Sequence, residues 1–592
     1  MAKRIVTIDR ELCKREKCGY LCARVCPKNR AEEKCITVEE QTKFPVVDEN
    51  LCIGCGLCAL KCRKASYNAI QIVNLPQELD ENPIHRYGRN RFALFRLPVP
   101  KNRMVVGIVG QNGIGKSTAI KILSGELQPN LGEFRKKAGW EEIIEKYKGT
   151  ELQDYLTKLR EKQVKVSYKP QQVDSIPKLW KGKVSGHVKG AVVNEDLLKN
   201  LNIKGILDKD IATLSGGELH LLAIYATMAK EAELYFFDEP SSYLDVEQRL
   251  LVAGEIRKLS EKAMVIVIEH DLAVADYLAD QVHIIYGRPG SFGVISKPYG
   301  VRIGINTYLD GYMREENVRF RDESIVFSKS ASVSMKRSPF LEFSAFKKRF
   351  GGFSMETEAG TLYRGEVVGI LGPNATGKTT FINMLSGKEK PDEGKPAEGL
   401  RLSYKPQRIA LSPDESLMDA REYLEKEMED ISSVRSQKIL RALELERLLE
   451  RTMGNLSGGE LQAIMIAAAL GRGFDVLLMD EPTAFLDVEQ RLRVGKLIRE
   501  IVEEKEAACF VVDHDLQIVD SIADRLMVFE GVRGVKGHGR SPASLHDGMN
   551  RFLKSLGITF RRDPQTGRAR ANKPESVKDR EQKEIGEYYY LQ

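Results

Sequence analysis

The chain has 592 residues, 42% hydrophobic and 30% charged, with a net charge of +7. Length alone sets a prior of roughly four domains, and the ordinary composition excludes a fibrous or wholly disordered chain. No window approaches the ~18 uninterrupted apolar residues of a membrane span. Met1-Ala2-Lys3-Arg4 runs into charge and cysteine, without the apolar core of a signal peptide, so a cytoplasmic, membrane-free protein is expected.

Nine of the ten cysteines fall before residue 63. They form Cys13-x4-Cys18-x3-Cys22-x3-Cys26-Pro27 and Cys52-x2-Cys55-x2-Cys58-x3-Cys62. The second run has the bacterial ferredoxin spacing, in which the fourth thiolate reaches to the other cluster. Cys52, Cys55, Cys58 and Cys26 are therefore assigned to one [4Fe–4S] cluster, and Cys13, Cys18, Cys22 and Cys62 to a second. Zinc is the competing reading, because paired four-cysteine sites are common. Ile36-Thr37-Val38 and Ile70-Gln71-Ile72-Val73 read as the short strands of a two-fold unit over 1–76. Cys35 and Cys509 read as buried apolar residues.

After a linker around Pro76 to Pro83, the strand Met104 to Val109 leads into Gly110-Gln-Asn112-Gly113-Ile-Gly115-Lys116-Ser117-Thr118 and an apolar-periodic helix. Strand, glycine loop and helix are the context of a phosphate-binding loop. Backbone N–H groups and the helix N-terminus hold phosphates, Lys116 neutralises the β and γ oxygens, and Ser117 takes Mg²⁺. Tyr87 is the candidate to stack on adenine, with Phe92 and plain core packing as alternatives.

Leu214-Ser215-Gly216-Gly217-Glu218 follows, then the apolar run Leu234 to Phe237 ending in Asp238-Glu239-Pro240. Asp238 is expected to bind Mg²⁺ through water, and Glu239 to position or deprotonate the attacking water. His270 ends a further apolar run and reads as a γ-phosphate sensor.

The whole set then repeats: Gly372-Pro-Asn374-Ala-Thr-Gly377-Lys378-Thr379-Thr380, Leu456-Ser457-Gly458-Gly459-Glu460, Asp480-Glu481-Pro482 and His514. Phe350 stands where Tyr87 does. Gln171 and Gln407 each end a Y-K-P-Q string and join the catalytic set. Lys116 precedes Gln171 by 55 residues and Lys378 precedes Gln407 by 29, so the first copy carries about 26 extra. Ile143, Ile144 and Tyr147, then a Thr150–Gln153 capping box and the stripe Leu152, Tyr155, Leu156 and Leu159, predict a helix–loop–helix near 138–165.

The expected fold class is α/β, with two P-loop domains at 77–300 and 339–535. A polar, strand-poor connection (301–338) joins them, and a basic segment (536–592) ends the chain. Arg551, Lys554, Arg561, Arg562, Arg568, Arg570 and Lys573 read as a solvated tail or a phosphate-backbone contact. Because Ser-Gly N–H groups at a helix N-terminus can hold a γ-phosphate, head-to-tail pairing is inferred. Ser457 and Gly459 would complete the Lys116 site, and Ser215 and Gly217 the Lys378 site. His220 stands where the second copy has Gln462.

From Arg86 to about Arg533 these motifs resemble the ATP-binding-cassette (ABC) superfamily. Joined to the cysteine head, the chain resembles its E subfamily, the RNase L inhibitor family of archaeal and eukaryotic ribosome-recycling factors. That resemblance implies an ATPase using ATP, Mg²⁺ and two [4Fe–4S] clusters, acting as a monomer with an internal pseudo-dimer. It implies as partners the ribosome (small subunit and ribosomal RNA) and a peptide release factor or its rescue paralogue. The insertion and the basic tail would face ribosomal RNA. An ATP-gated electron carrier and a DNA-repair clamp ATPase are the alternatives, although no sustained heptad run supports the second.

Overall fold

The computed structural model describes residues 4–65, 67–74, 81–135, 138–173, 175–188, 194–327, 338–395 and 399–589. Most of the expected Pro76–Pro83 linker and residues 328–337 of the connection lie outside these.

In the head, strand Arg4–Ile8 pairs antiparallel with Ile70–Asn74, and Ile36–Val38 with Pro45–Val47. Helices Leu21–Val25 and Leu57–Lys64 carry Cys22, Cys58 and Cys62. Val6, Ile36, Val47 and Ile70 pack directly against buried cysteines, Cys35 included. So small a core has little apolar area of its own, and covalent or metal staples are the usual remedy.

The two large sheets are built alike. The first runs, edge to edge, His85–Arg86, Ala93–Phe95, Phe292–Gly300, Gln281–Arg288, Val105–Val109, Met264–Ile268, Leu234–Asp238, Val166–Lys169. The second runs Lys347–Phe350, Phe353–Thr357, Lys536–Gly539, Arg525–Val532, Val367–Leu371, Ala508–Val512, Val476–Asp480, Leu402–Lys405. The central strands are parallel and covered on both faces, which is why they read as unbroken apolar runs such as VVGIV and MVIVI. Lys536–Gly539 pairs with Arg525–Val532, so the second sheet passes the expected boundary at 535.

The insertion folds as helices Trp140–Lys146 and Glu151–Arg160, with Leu152, Tyr155, Leu156 and Leu159 buried against the first lobe. The expected capping box does not close. The Thr150 hydroxyl turns back to the Tyr147 carbonyl (2.7 Å), and Gln153 instead accepts the Gly149 N–H (2.8 Å).

Two further expectations are corrected. The connection expected over 301–338 is not plain linker: it opens with a helix, Val301–Asp310, and Tyr312–Met313 pairs with Val318–Arg319. Periodicity missed it because its polar residues face partners inside the molecule. Tyr308 and Arg321 both bond Glu489 of the second lobe. Nor is the C-terminal segment a free basic tail. Arg568 is fully buried and pairs with Asp276 of the first lobe (3.1 Å). Arg570 pairs with Asp276 (2.5 Å) and Asp563, and Arg562 with Asp520 of the second lobe (2.9 Å). Only Arg551, Lys554 and Lys573 of the seven cations are exposed. The segment is a cross-brace: Phe560, Ala569 and Tyr589 share one apolar core with both lobes.

Asp276 is the anion that two buried guanidinium groups depend on. Asp276→Ala should destabilise the chain by about 3–5 kcal/mol, the cost of breaking a buried pair from one side, read as a lowered urea midpoint. His283 gives a pH signature. Burial lowers its pKa to about 4, while Nδ1 donates to the Ser296 carbonyl (2.7 Å) and Nε2 accepts the Val99 N–H (3.2 Å). The unfolded chain therefore takes up the proton first, so stability present above about pH 6.5 is lost as pH falls toward 4. His283→Gln should remove up to about 3 kcal/mol of that acid loss, measured as the difference in urea midpoints at about pH 7 and pH 4.5.

Candidate active site

Both phosphate-binding loops sit at the carboxyl edge of their sheets. Val105–Val109, Met264–Ile268 and Leu234–Asp238 are parallel neighbours, with Ile268 opposite both Ile108 and Asp238. That register brings Lys116, His270 and Glu239 to one edge, where open α/β sheets bind ligands. Gly115 has φ +100° and Gly377 φ +99°; a Cβ would meet Phe92 at 2.7 Å in the first and Met355 Sδ at 2.6 Å in the second. Only glycine fits there.

Lys116 donates to the Gly110 carbonyl (2.8 Å) and Asn112 Oδ1 (3.2 Å), with His270 Nε2 also 2.8 Å away. Lys378 likewise donates to the Gly372 and Pro373 carbonyls (2.8 and 2.7 Å), and burial lowers its pKa to about 8. Glu239 and Glu481 occupy the left-handed region at φ 49° and 47°, a conformation non-glycine residues keep only where the surroundings impose it. Gln171 Nε2 donates to Glu239 Oε1 and Gln407 Nε2 to Glu481 Oε1, each at 2.6 Å. His270 and His514 stand 3.4 Å from the same oxygens. Glutamine, histidine and carboxylate thus converge identically in both copies.

Burial, with the adjacent glutamate, pushes Asp238 and Asp480 up to about 6. Among the described residues the buried Asp480 oxygens have no neighbour placed to bond them but the Thr379 hydroxyl beside them. A buried carboxylate next to a P-loop hydroxyl fits Mg²⁺.

The lobes meet at the loops. Asp487 of the second lobe accepts the Asn112 N–H (3.2 Å), and Glu489 accepts from Gln111 Nε2 (2.7 Å). Asp245 of the first lobe accepts the Asn374 N–H (2.7 Å) and pairs with Arg533. Each phosphate-binding loop is therefore walled by the opposite lobe. The expected agents were Ser215 and Ser457, and here they differ. Each hydroxyl bonds the glutamate of its own capping box, Glu218 or Glu460, at 2.8 Å. Gly217 and Gly459 lie in the first turn of those helices.

Tyr87 reaches the P-loop helix, its hydroxyl 3.2 Å from Thr118 Oγ1. Tyr87 N–H bonds the Phe92 carbonyl (3.1 Å) across a turn, and Phe350 pairs with Phe353 in the same way. The two aromatic pairs are structural equivalents. Among the described residues only the first turn is gripped by the head: buried Asn90 bonds the backbone of Val6 and Val47, and Arg86 pairs with Glu49. A cavity of about 430 Å³ lies between Gln71 and Asp9 of the head, Tyr87 and Phe92, and Arg451 and Glu460 of the second lobe.

In the head, Cys13, Cys18, Cys22 and Cys62 line one cavity with Tyr20 and Tyr67. Cys58 lies beside Cys26, Cys52 and Cys55. Burial pushes the Cys22 and Cys58 thiols up to about 12, so thiolates there need a bound metal's positive charge. Four sulfurs spread round a cavity suit a cluster.

Sequence reading missed Lys169 and Lys405. Both are wholly buried and hold the carbonyls of Asp238–Glu239 and Asp480–Glu481 at 2.8–3.1 Å. Their signal was the shared Y-K-P-Q string. His220 meets Lys169 (3.0 Å), whereas Gln462 bonds the Glu481 and Pro482 carbonyls directly.

The ABC transporter family model matches residues 97–242 and 357–484, and the 4Fe-4S binding domain model matches 45–64. An uncharacterized ABC transporter ATP-binding protein of Methanocaldococcus jannaschii is 50% identical over 99% of this chain and 98% of its own. A model of ribosome-bound archaeal Pelota and ABCE1 aligns at TM-score 0.94 and 48% identity over the full length of both chains. The archaeal ribosome recycling factor aABCE1, solved in complex with ribosomal stalk protein aP1, aligns at TM-score 0.82 and 49% identity over 87% of this chain and all of its own. No helix among the described residues is long and apolar enough to cross a membrane. Twin cassettes that bind ATP and Mg²⁺ and hydrolyse ATP, behind a head built for [4Fe–4S] binding, place this chain in the E subfamily of ABC proteins, the RNase L inhibitor family.

Proposed function

We propose that this protein is an ATP-driven ribosome recycling factor of the cytoplasm, acting as a monomer whose two cassettes form an internal pseudo-dimer. The observation that carries the reading is that each phosphate-binding loop is contacted by the opposite lobe through Asp487 or Asp245. A nucleotide held there is gripped by both lobes, so binding favours closure and hydrolysis weakens it. In closing, Ser457 and Ser215 exchange their own glutamates for the γ-phosphate of the opposite site.

In this reading Glu239 and Glu481 orient and deprotonate the attacking water, fixed by Gln171 and Gln407, while His270 and His514 contact the γ-phosphate. Ser117 with Asp238, and Thr379 with Asp480, would hold Mg²⁺, which would offset phosphate charge. Tyr87 and Phe350 stack on adenine with Phe92 and Phe353 behind them. The head binds two [4Fe–4S] clusters in the two cysteine sets. Because the head grips the Tyr87–Phe92 turn, lobe closure at the first site moves it. The archaeal relatives, one on the ribosome with Pelota and the other with a stalk protein, support a ribosomal small subunit and a release factor or its rescue paralogue as partners. With most of the tail's cations spent internally, the insertion and the head remain as the faces for ribosomal RNA.

Incubating ribosomes with this protein, ATP and a termination factor, then sedimenting them through sucrose, tests the function: free subunits should appear only with ATP. Intact ribosomes under all conditions would sink it. Glu239→Gln with Glu481→Gln should lower turnover by about 10²–10⁴-fold while nucleotide still binds, checked by filter binding and phosphate release. Cys55→Ser should lose cluster absorbance and subunit splitting while turnover stays within about twofold.

A further inference from the structure

Beneath the two nucleotide sites the lobes share a buried group of charges. Helix Val246–Ser260 starts at Asp245, whose Oδ1 caps Gln248 N–H while Oδ2 accepts the Asn374 N–H of the second phosphate-binding loop. One turn on, Arg249 is 11% exposed. Its Nε donates to the Leu244 carbonyl, and its Nη1 to Asp271 Oδ2 (2.7 Å) and to the carbonyl of His514 in the other lobe (3.1 Å). Asp271 follows His270 directly, and its other oxygen caps the next helix through the Ala273 and Val274 N–H groups. The mirror set is Asp487, Arg491 and Asp515: Arg491 Nη1 donates to Asp515 Oδ2 (3.1 Å). The helices these acids cap, Leu272–Leu278 and Leu516–Ile522, contact each other, and burial with the Asp271 carboxylate pushes Asp515 upward. The symmetry is incomplete, because among the described residues Arg491 makes no matching bond to the His270 carbonyl.

We propose that Arg249 is a positioning residue that ties the histidine switch of the second nucleotide site to that of the first. One guanidinium spans the backbone of His514 and the side chain next to His270, and its helix is anchored to the second phosphate-binding loop one turn earlier. A shift of His514 or Asn374 when nucleotide enters the Lys378 site must move Arg249 or break its bonds. Either event changes the restraint on Asp271 and therefore on His270. The mirror link lacks one bond, so coupling between the sites runs more strongly through Arg249 than through Arg491. A two-state element biased from both ends is what energetic coupling between sites requires.

The inference rests on the reading of Lys116 and Lys378 as two ATP sites. ATP hydrolysis by the unsubstituted chain is therefore checked first, and its absence would break that reading instead. Turnover at the first site is then compared between chains whose second site is emptied by Lys378→Ala or locked by Glu481→Gln. With Arg249 present the two should differ by about tenfold. With Arg249→Lys the difference should shrink below about twofold, and with Arg491→Lys it should persist. Full coupling in Arg249→Lys, equal loss in Arg491→Lys, or no difference in the parent each overturns the proposal. A second measurement leaves Arg249 in place. In a Lys116→Ala chain, ATP can enter only the second site, and hydrogen exchange of the Ala273 and Val274 amides should change severalfold on its addition. Unchanged exchange there would also overturn it.

Discussion

The arrangement depends on a short bond between a carboxylate and a backbone amide that belong to different lobes. Asp245 takes the N–H of Asn374, and Asp487 that of Asn112. Each of those amides lies in a loop whose N–H groups are set out for phosphate. A carboxylate is thus placed against an anion-binding loop, and it is held there by a helix cap of its own and, for Asp245, by Arg533. The contact is attractive in the protein as described. It brings negative charge close to where a triphosphate must sit, so nucleotide charge and lobe geometry cannot be independent. This is the physical root of a clamp driven by ATP.

Around that contact, the two halves differ in ways that repeat motifs hide. The first site has a head gripping its aromatic turn through Asn90; the second has a Gly351-Gly352 turn between Phe350 and Phe353. Lys169 leans on His220, which burial and the lysine charge keep neutral, well below its usual range. Lys405 has Gln462 working beside it on the same carbonyl. Two chemically equivalent sites are thereby mounted in unequal supports, which gives a physical basis for unequal kinetics.

The C-terminal segment explains how so large a hinge stays in register. Its arginines neutralise Asp276 on one lobe and Asp520 on the other, and its apolar side chains join both cores. Buried ion pairs add little net stability but tolerate no loss of either partner. They fix which surfaces meet, a task suited to a brace between moving bodies.

Both phosphate-binding loops, the glutamates and histidines that meet beside them and the grouping of the eight cysteines were legible in the chain itself. Each is a local pattern whose chemistry needs fixed residue types at fixed spacing: glycines where φ is positive, a carboxylate where a buried strand ends, thiolates at ferredoxin intervals. The parallel strands announced themselves by unbroken apolar runs. What no spacing could supply was pairing between residues far apart. The arginines of 561–570 read as a basic tail because their acids lie on other elements, nearly 300 residues earlier for Asp276. The start of the 301–338 connection read as loop because Tyr308 and Arg321 find their partner, Glu489, across the lobe interface. Lys169 and Lys405 read as ordinary lysines until burial showed them holding backbone carbonyls. Local sequence sets what each segment can do; only the closed packing of distant segments decides which charges are neutralised, and therefore which remain available for a partner.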